Sequence, residues 1–235
     1  MGGYYGVFQS WNGSNCQNDW SRKTTRIFVE FGVFKTTTIE MIEANGGKPL
    51  LPKRWNELET MTISYGHGLS ATPLHLAAGY ATLANGGRLV NPTLLQEVKT
   101  VLGPRVISKE VAENSLAMLR GVVTGGTASL ADVDGYYVGG KTGTADKPSA
   151  RGGYDKEKNI TNFASIFPIN EPKYVLIVTL DEAQDTSGPE PKRTAGWTAV
   201  PVSAEIIARV APLLGLRPKF DNHSTIGITL SNWQE

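Results

Sequence analysis

Residues 141–144 of this chain, Lys-Thr-Gly-Thr, have side-chain types and spacing that suit an anionic, peptide-like ligand. They follow two glycines that end an apolar run, so the pattern predicts a strand. Lys141 would supply a fixed positive charge, Thr142 a hydroxyl, and Gly143 a place where a ligand backbone can approach closely. The backbone N–H of Thr144 would point towards an oxyanion that develops on the bound group. An ordinary glycine-containing turn beside a strand is the alternative, because a four-residue pattern often arises by chance.

Helix caps and hydrophobic periodicity predict the elements that would position this strand. Thr72 and Ser108 are predicted to cap two helices, each of which ends at a pair of glycines. The predicted helices are residues 39–44, 73–84, 109–124 and 199–214, and the predicted strands are residues 136–144, 163–167 and 174–180. The predicted fold class is therefore α+β, with an antiparallel sheet packed by the last helix and with the two capped helices in an adjoining helical lobe.

The third predicted strand, residues 174–180, is nearly continuous in apolar residues. Such a strand is typical of a central position, covered on both faces and paired along both edges. The second and third strands are separated only by a short turn from Pro168 to Pro172, which predicts that they are antiparallel neighbours. A further strand is therefore expected on the other side of the third one, and a longer chain would supply it before Phe31.

Composition excludes several classes of function. A formal net charge of +1 over 235 residues gives no basic footprint for nucleic acid. Cys16 is the only cysteine, and the three histidines His67, His75 and His223 are scattered, so neither an internal disulfide nor a metal site is predicted, and no cofactor is expected. No apolar run is long enough to span a membrane, and residues 1–30 lack the apolar centre of a signal peptide. The chain made alone is therefore expected in the cytoplasm.

The chain divides into three parts on composition. Residues 1–30 are rich in Gly, Asn and Ser without apolar periodicity and predict a weakly structured lead. Residues 31–216 contain all the predicted elements, and residues 217–235 predict a loose tail.

Other chemically suggestive residues favour structural interpretations. His67 lies between two glycines, where a flexible turn would position a general base poorly. Asp181 and Glu182 form an acidic pair at a predicted strand end, which favours a solvated terminus. The five tryptophans are too widely spread for a stacking platform, so the ordered ones are interpreted as packing residues.

Several segments together resemble the transpeptidase family of penicillin-binding proteins, in particular its class B members that act in cell division. They follow the order and approximate spacing of the family, and they are residues 63–70, 72–76, 80–87, 90–92, 122–128, 139–145, 163–168, 175–182 and 194–197. The resemblance implies the C-terminal part of a transpeptidase domain, similar in fold to penicillin-binding proteins and serine β-lactamases. It covers roughly residues 31–216.

The resemblance also implies a function and its residues. The family cross-links peptidoglycan stem peptides through a seryl acyl-enzyme, and β-lactams trap the same serine. Carried over to this chain, Lys141 and Thr144 would be catalytic, and Thr142 and Gly143 would bind substrate. The implied partners are peptidoglycan stem peptides, β-lactams and proteins of the division machinery, and the implied location is the periplasmic face of the cytoplasmic membrane.

The chain departs from the family pattern at its nucleophile. No serine in the sequence is followed three residues later by lysine. Ser10-Trp11-Asn12 fits the family's Ser-x-Asn element, but its surroundings do not resemble the family and the match is interpreted as coincidence. A chain that is inactive alone is therefore expected. A serine β-lactamase or D,D-carboxypeptidase relative, and a noncatalytic interaction fragment, remain as alternatives.

Overall fold

The structure is a computed structural model that describes residues 19–36, 39–47, 49–52, 55–96, 102–149 and 152–220. Its helices are α1 (Asp19–Glu30), α2 (Glu57–Ser64), α3 (Pro73–Ala84), α4 (Lys109–Gly125) and α5 (Ala199–Leu213). Its strands are β1 (Gly139–Pro148), β2 (Tyr154–Phe167) and β3 (Tyr174–Asp181), and two short 3-10 helices cover Ile42–Gly46 and Ser129–Ala131. This is the α+β class that the sequence predicts.

Helix caps lie where the sequence predicts them. The Thr72 hydroxyl accepts a hydrogen bond from the His75 backbone N–H at the start of α3. The Ser108 hydroxyl accepts one from the Val111 N–H at the start of α4, at 3.1 Å. Each cap satisfies one of the backbone donors that the first turn of a helix leaves without a partner. Local sequence therefore sets where the two helices that contact the sheet begin.

The three strands form one antiparallel sheet in the order β1-β2-β3. The predicted antiparallel pairing of the second and third strands is confirmed. β3 pairs with β2 along one edge, and no strand pairs with its other edge among the described residues, so the expected second neighbour is not found there. Both faces of β3 are nevertheless covered, because α3 and α5 both pack against it. Coverage of both faces accounts for its continuous apolar sequence.

The sheet lies between two helical layers. α5 packs on one face, where Phe163 and Val178 join Val200 and Ile207 in the main hydrophobic core. α3 and α4 contact the strands from the other side, where the alternate residue Ile166 is fully buried. The two capped helices therefore form the second layer against the sheet itself, which corrects the prediction that they belong to an adjoining helical lobe.

α1 is a second correction, since it lies inside the predicted weakly structured lead. Its inner face consists of the buried Ser21 and Thr25 and the partly buried Phe28, which recur at helical spacing but are mostly polar, so a search for apolar periodicity misses them. Hydrogen bonds replace apolar contact on this face. The Thr25 hydroxyl donates to the Ser21 carbonyl oxygen at 2.7 Å, and the Thr60 hydroxyl of α2 donates to the Ser21 hydroxyl at 3.0 Å.

A small aromatic cluster attaches α1 to α2 and to the loop between them. Phe34 and Trp55 are buried, and their rings meet edge to face at a centroid distance of 5.6 Å. The interpretation of Trp55 as a packing residue is thus confirmed. α2 itself was not predicted, although Asn56 and Glu59 form a complete capping box at its start.

Element bounds also differ from the sequence predictions. The short helix predicted at residues 39–44 is a 3-10 helix at Ile42–Gly46. β1 begins at Gly139 rather than at residue 136, and β2 begins at Tyr154, nine residues before its predicted start at residue 163. The N-terminal half of β2 is mostly polar and exposed, so it carries little apolar signal, and its pairing with β1 is what makes it a strand. The predicted last helix is confirmed, with Pro212 in its final turn.

Candidate active site

Residues 141–144 lie in β1, at one end of the sheet. β1 pairs with β2 along one edge, with Lys141 opposite Ala164 and Thr144 opposite Thr161. Among the described residues no strand pairs with its other edge. An outer edge of this kind offers backbone donors and acceptors to an extended ligand.

Two glycines let the backbone of β1 lie close to β2. A methyl group on Gly140 would lie 2.5 Å from the Ala164 carbonyl oxygen and 2.6 Å from the Phe163 ring. A methyl group on Gly143 would lie 2.6 Å from the Asn162 side-chain oxygen. Contacts of this length do not occur between non-bonded atoms, so close approach of the Ala164 backbone requires glycine at position 140, whereas a side chain at position 143 would have to displace the Asn162 side chain.

Side chains alternate along β1, which divides the candidate residues between the two faces of the sheet. Thr142, Thr144 and Asp146 face the segments that follow α4 and precede α5. Lys141 and Gly143 lie on the opposite face. Lys141 is exposed, and its Nζ turns back towards its own strand, 2.8 Å from the Thr142 carbonyl oxygen and 3.3 Å from the Thr142 hydroxyl. Its ammonium group is therefore positioned beside the hydroxyl that would share an anionic ligand with it.

The Thr142 hydroxyl has a partner that sequence reasoning missed. Thr127 lies in the loop after α4, and its Oγ1 is 2.9 Å from the Thr142 Oγ1. A hydroxyl hydrogen-bonded in this way is held in one rotamer, so Thr127 positions Thr142. The sequence signal was present, because Thr127 lies in the segment 122–128 that resembles the family, but its contact with β1 depends on the fold.

The Thr144 hydroxyl is also engaged within the protein. It accepts a hydrogen bond of 3.0 Å from the backbone N–H of Ala195, which is only 1% exposed. Its proton remains available for donation to a ligand. The side chain of Thr144 thus connects β1 to the segment before α5, in addition to any role of its backbone N–H.

Further contacts hold this segment against the sheet. The Arg193 guanidinium pairs with the Asp146 carboxylate on β1, and the Asn159 side chain of β2 donates to the Arg193 carbonyl oxygen at 2.8 Å. The Thr198 hydroxyl donates to the Thr161 hydroxyl at 3.0 Å. Together with the hydrogen bond from Ala195, these contacts attach residues 193–198 to β1 and β2. The segment that packs against residues 142–146 is therefore held at several points.

The other residues considered from the sequence lie elsewhere. His67 is exposed in the turn after α2, where its ring packs on Tyr65. Asp181 and Glu182 both pair with Lys147 of β1 and are therefore more than a solvated strand end. The pKa of Lys147 is raised by its side-chain hydrogen bonds, of which the bond to Asp181 has the larger effect and the bond to Glu182 the next. This ion cluster ties β1 to the end of β3 beyond the candidate site.

Two kinds of feature are absent from the part of the chain that the structure describes. No group of three or more His, Cys, Asp and Glu residues is arranged to hold a metal ion. None of the helices in the described ranges has the length and apolar character needed to cross a membrane. Trp11, Trp233, Ser10 and His223 lie outside the described residues, as do the tail beyond residue 220 and most of the predicted lead.

Comparison with known proteins identifies the class to which this fold and strand belong. Residues 17–207 match the family described as the penicillin binding protein transpeptidase domain. The chain is 32% identical over 210 residues to a probable peptidoglycan D,D-transpeptidase FtsI of Caulobacter vibrioides, covering 84% of this chain and 35% of the relative. It therefore spans about a third of the length of that relative.

Comparison with solved structures gives the same family. The transpeptidase domain of Burkholderia pseudomallei penicillin-binding protein 3 superposes with a TM-score of 0.75 at 32% identity, covering 86% of this chain and 60% of that one. Penicillin-binding protein 3 of Mycobacterium tuberculosis, solved with aztreonam, gives a TM-score of 0.70 at 26% identity, covering 83% of this chain and 47% of that one. This chain belongs to the penicillin-binding protein transpeptidase family, which confirms the resemblance seen in its sequence. The family match begins at residue 17, before the predicted start at residue 31, and includes α1.

Proposed function

We propose that β1 forms one wall of a peptidoglycan D,D-transpeptidase site that binds D-alanyl stem peptides and β-lactams. The observation that carries the proposal is the placement of Lys141, Thr142 and Thr144 on an outer strand edge, in a chain of the transpeptidase family. A relative of the chain is named as a peptidoglycan D,D-transpeptidase, and a structural neighbour was solved with aztreonam. An extended peptide would add as a further strand to the edge of β1 that no strand occupies in the described part of the chain.

Each site residue has a role in this proposal. Lys141, beside the Thr142 hydroxyl, would hold the carboxylate of the peptide or drug, and Thr127 would keep that hydroxyl in place. Gly143, between the two threonines, would let the peptide backbone approach the edge of β1 without a side chain of its own in the way. The Thr144 backbone N–H would stabilise the oxyanion that forms when the ligand carbonyl is attacked, an interaction worth about 3 kcal/mol of activation free energy in enzymes of this type.

The acyl-transfer step requires a nucleophile beyond these residues. In this chemistry a serine hydroxyl attacks the carbonyl carbon, and the leaving amine departs from a D-alanyl peptide or the β-lactam ring opens. None of the serines in the 235-residue sequence is followed three positions later by lysine. We therefore propose that this chain by itself binds such ligands without becoming acylated. The whole enzyme would act in cell-wall synthesis during division, on the periplasmic side of the cytoplasmic membrane, with division proteins as partners.

A fluorescent penicillin tests both parts of the proposal. We expect its fluorescence anisotropy to rise saturably with the concentration of the chain, and the label to be lost on denaturing electrophoresis. Lys141→Met should weaken the binding about tenfold or more, because it removes the charge that faces the carboxylate. Lys156→Met is the matched control, since Lys156 is an exposed lysine in the polar half of β2 and should leave binding unchanged.

Other outcomes would decide against the proposal. A covalent fluorescent band would show that a nucleophile is present. Hydrolysis of a chromogenic cephalosporin would favour the β-lactamase alternative. Absence of binding, or equal weakening by both lysine variants, would refute β1 as the ligand wall and would favour a noncatalytic role.

A further inference from the structure

A groove with a cationic rim lies outside the candidate active site, between the end of α3, the start of α4 and the turn that joins β2 to β3. Its volume is about 600 Å³, within the range of small-molecule sites. Ala112 and Ile169 are buried at its floor, beside the partly buried Leu116. Four cationic residues and one carboxylate, that of Glu113, line it; the cationic residues are Arg88, Arg105, Lys109 and Arg120.

Two of these cations are placed directly opposite each other by the backbone. Arg88 and Arg105 form an isolated antiparallel bridge. The flanking hydrogen bonds, from Leu89 N–H to the Pro104 carbonyl oxygen and from Val106 N–H to the Gly87 carbonyl oxygen, define it as a non-hydrogen-bonded pair. In this type of pair the side chains are closest, and like charges at directly opposed positions are destabilising.

No carboxylate compensates these two charges among the described residues. The Arg88 guanidinium donates to the Gly103 carbonyl oxygen at 3.1 Å, and the Arg105 guanidinium donates to the Gly86 carbonyl oxygen at 2.6 Å. Neutral acceptors orient a guanidinium without balancing its charge. The other two cations differ in this respect, since Lys109 pairs with Glu113 at 3.3 Å and Arg120 pairs with Asp132 at 2.8 Å.

The N-terminus of α4, which carries the acidic Glu110 in its first turn, also borders the groove. Lys109 is the first residue of α4, a helix of 17 residues, and its first turn reaches the groove. The N-terminal turn of a helix carries partial positive charge and exposed N–H donors. A rim with two uncompensated guanidinium groups above an apolar floor is suited to a dianionic head group carried on an apolar or organic body.

We propose that this groove binds a phosphoryl group of a small organic ligand, with Arg88 and Arg105 as its principal partners. A phosphate monoester carries between one and a half and two negative charges at neutral pH, roughly the charge of the two arginines, whereas a single carboxylate balances one of them. Guanidinium groups bind such oxygens through two parallel hydrogen bonds. The site is separate from residues 141–144 and does not depend on the proposed acyl-transfer chemistry.

Calorimetric titration of the full 235-residue chain with sodium pyrophosphate tests the proposal, at pH 7.5 and with ionic strength held constant by sodium chloride. We expect saturable binding to the unmodified chain. Arg105→Gln should raise the dissociation constant about tenfold or more, since it removes one charged partner at an exposed position. Arg88→Lys keeps the charge but loses the paired hydrogen bonds and should give a smaller increase.

Arg209→Gln is the matched control, because Arg209 is an exposed arginine on α5 that pairs with Glu205. It changes the net charge as much as Arg105→Gln does and should leave the affinity unaltered. Absence of saturable binding, or equal weakening in Arg105→Gln and Arg209→Gln, would overturn the proposal. So would a di-glutamate peptide that binds while pyrophosphate does not, because it would assign the groove to acidic peptides. Circular dichroism of each variant verifies that it is folded.

Discussion

Replacing Thr144 by valine should destabilise the protein, although Thr144 lies in the candidate catalytic strand. Valine keeps the shape and the strand preference of threonine but removes the hydroxyl that accepts the hydrogen bond from the Ala195 N–H. Ala195 is 1% exposed, and the valine methyl group would occupy the position of the lost acceptor, so the N–H would be left without a partner. A buried donor without a partner costs about 1–3 kcal/mol. The segment between Arg193 and α5 would then be held by fewer bonds to the sheet.

Thermal and urea unfolding measure this effect. At about 2 kcal/mol, the midpoint temperature of a chain of this size should fall by about 4–8 °C. Thr144→Ser is the matched variant, because it retains the hydroxyl and should lose less than about 0.5 kcal/mol. The reasoning would be refuted if the valine variant were as stable as the unmodified chain, or if the serine variant lost as much stability as the valine variant.

Three further predictions concern packing and alkaline pH. Gly140→Ala places a methyl group 2.5 Å from a backbone carbonyl oxygen of β2 and should lower the free energy of unfolding, measured by urea denaturation, by about 1–3 kcal/mol. Gly121→Ala is the control, because its methyl group lies in open space on α4 and should raise that free energy by up to about 1 kcal/mol. Equal losses in both variants would contradict this account. Burial raises the pKa of Tyr80 from 10.0 to about 12, so the stability linked to its neutral phenol is complete below pH 10 and is lost as the pH rises towards 12. Tyr80→Phe should flatten the unfolding free energy over that interval, and an unchanged slope would disprove the assignment. Because hydrogen bonds to Asp181 and Glu182 raise the pKa of Lys147 above 10.5, its contribution is complete below that value and is lost as the pH rises through the folded-state pKa. The deficit of Lys147→Met relative to the unmodified chain should therefore shrink in strong alkali, and a deficit that is constant with pH would argue against this ion cluster.

The parts of the fold that the sequence predicted are those that local chemistry determines. Thr72 and Ser108 predict the starts of α3 and α4, because each capping hydroxyl accepts a hydrogen bond from a backbone N–H only three residues further along the chain. The apolar run of β3 likewise reports that both of its faces are covered. α1 was not predicted, because hydroxyl groups take the place of most apolar side chains on its inner face.

The candidate site was predicted only in part, for a related reason. The types and order of residues 141–144 are visible in the sequence, and they were sufficient to suggest an anion-binding strand. The hydroxyl pair between Thr127 and Thr142 joins residues 15 positions apart, and the bond from Ala195 to Thr144 joins residues 51 positions apart. No local spacing rule reports contacts at such separations.

The amino-acid sequence by itself determined the family, the position of the Lys-Thr-Gly-Thr strand and the starts of two helices that pack on the sheet, since each depends on neighbours along the chain. Tertiary structure alone decided which face each site residue occupies, which segment supports Thr142 and Thr144, and that Arg88 lies opposite Arg105. The physical reason is that strand pairing and helix packing bring together side chains that are distant in sequence. Their charges and hydroxyl groups acquire a function only through that proximity.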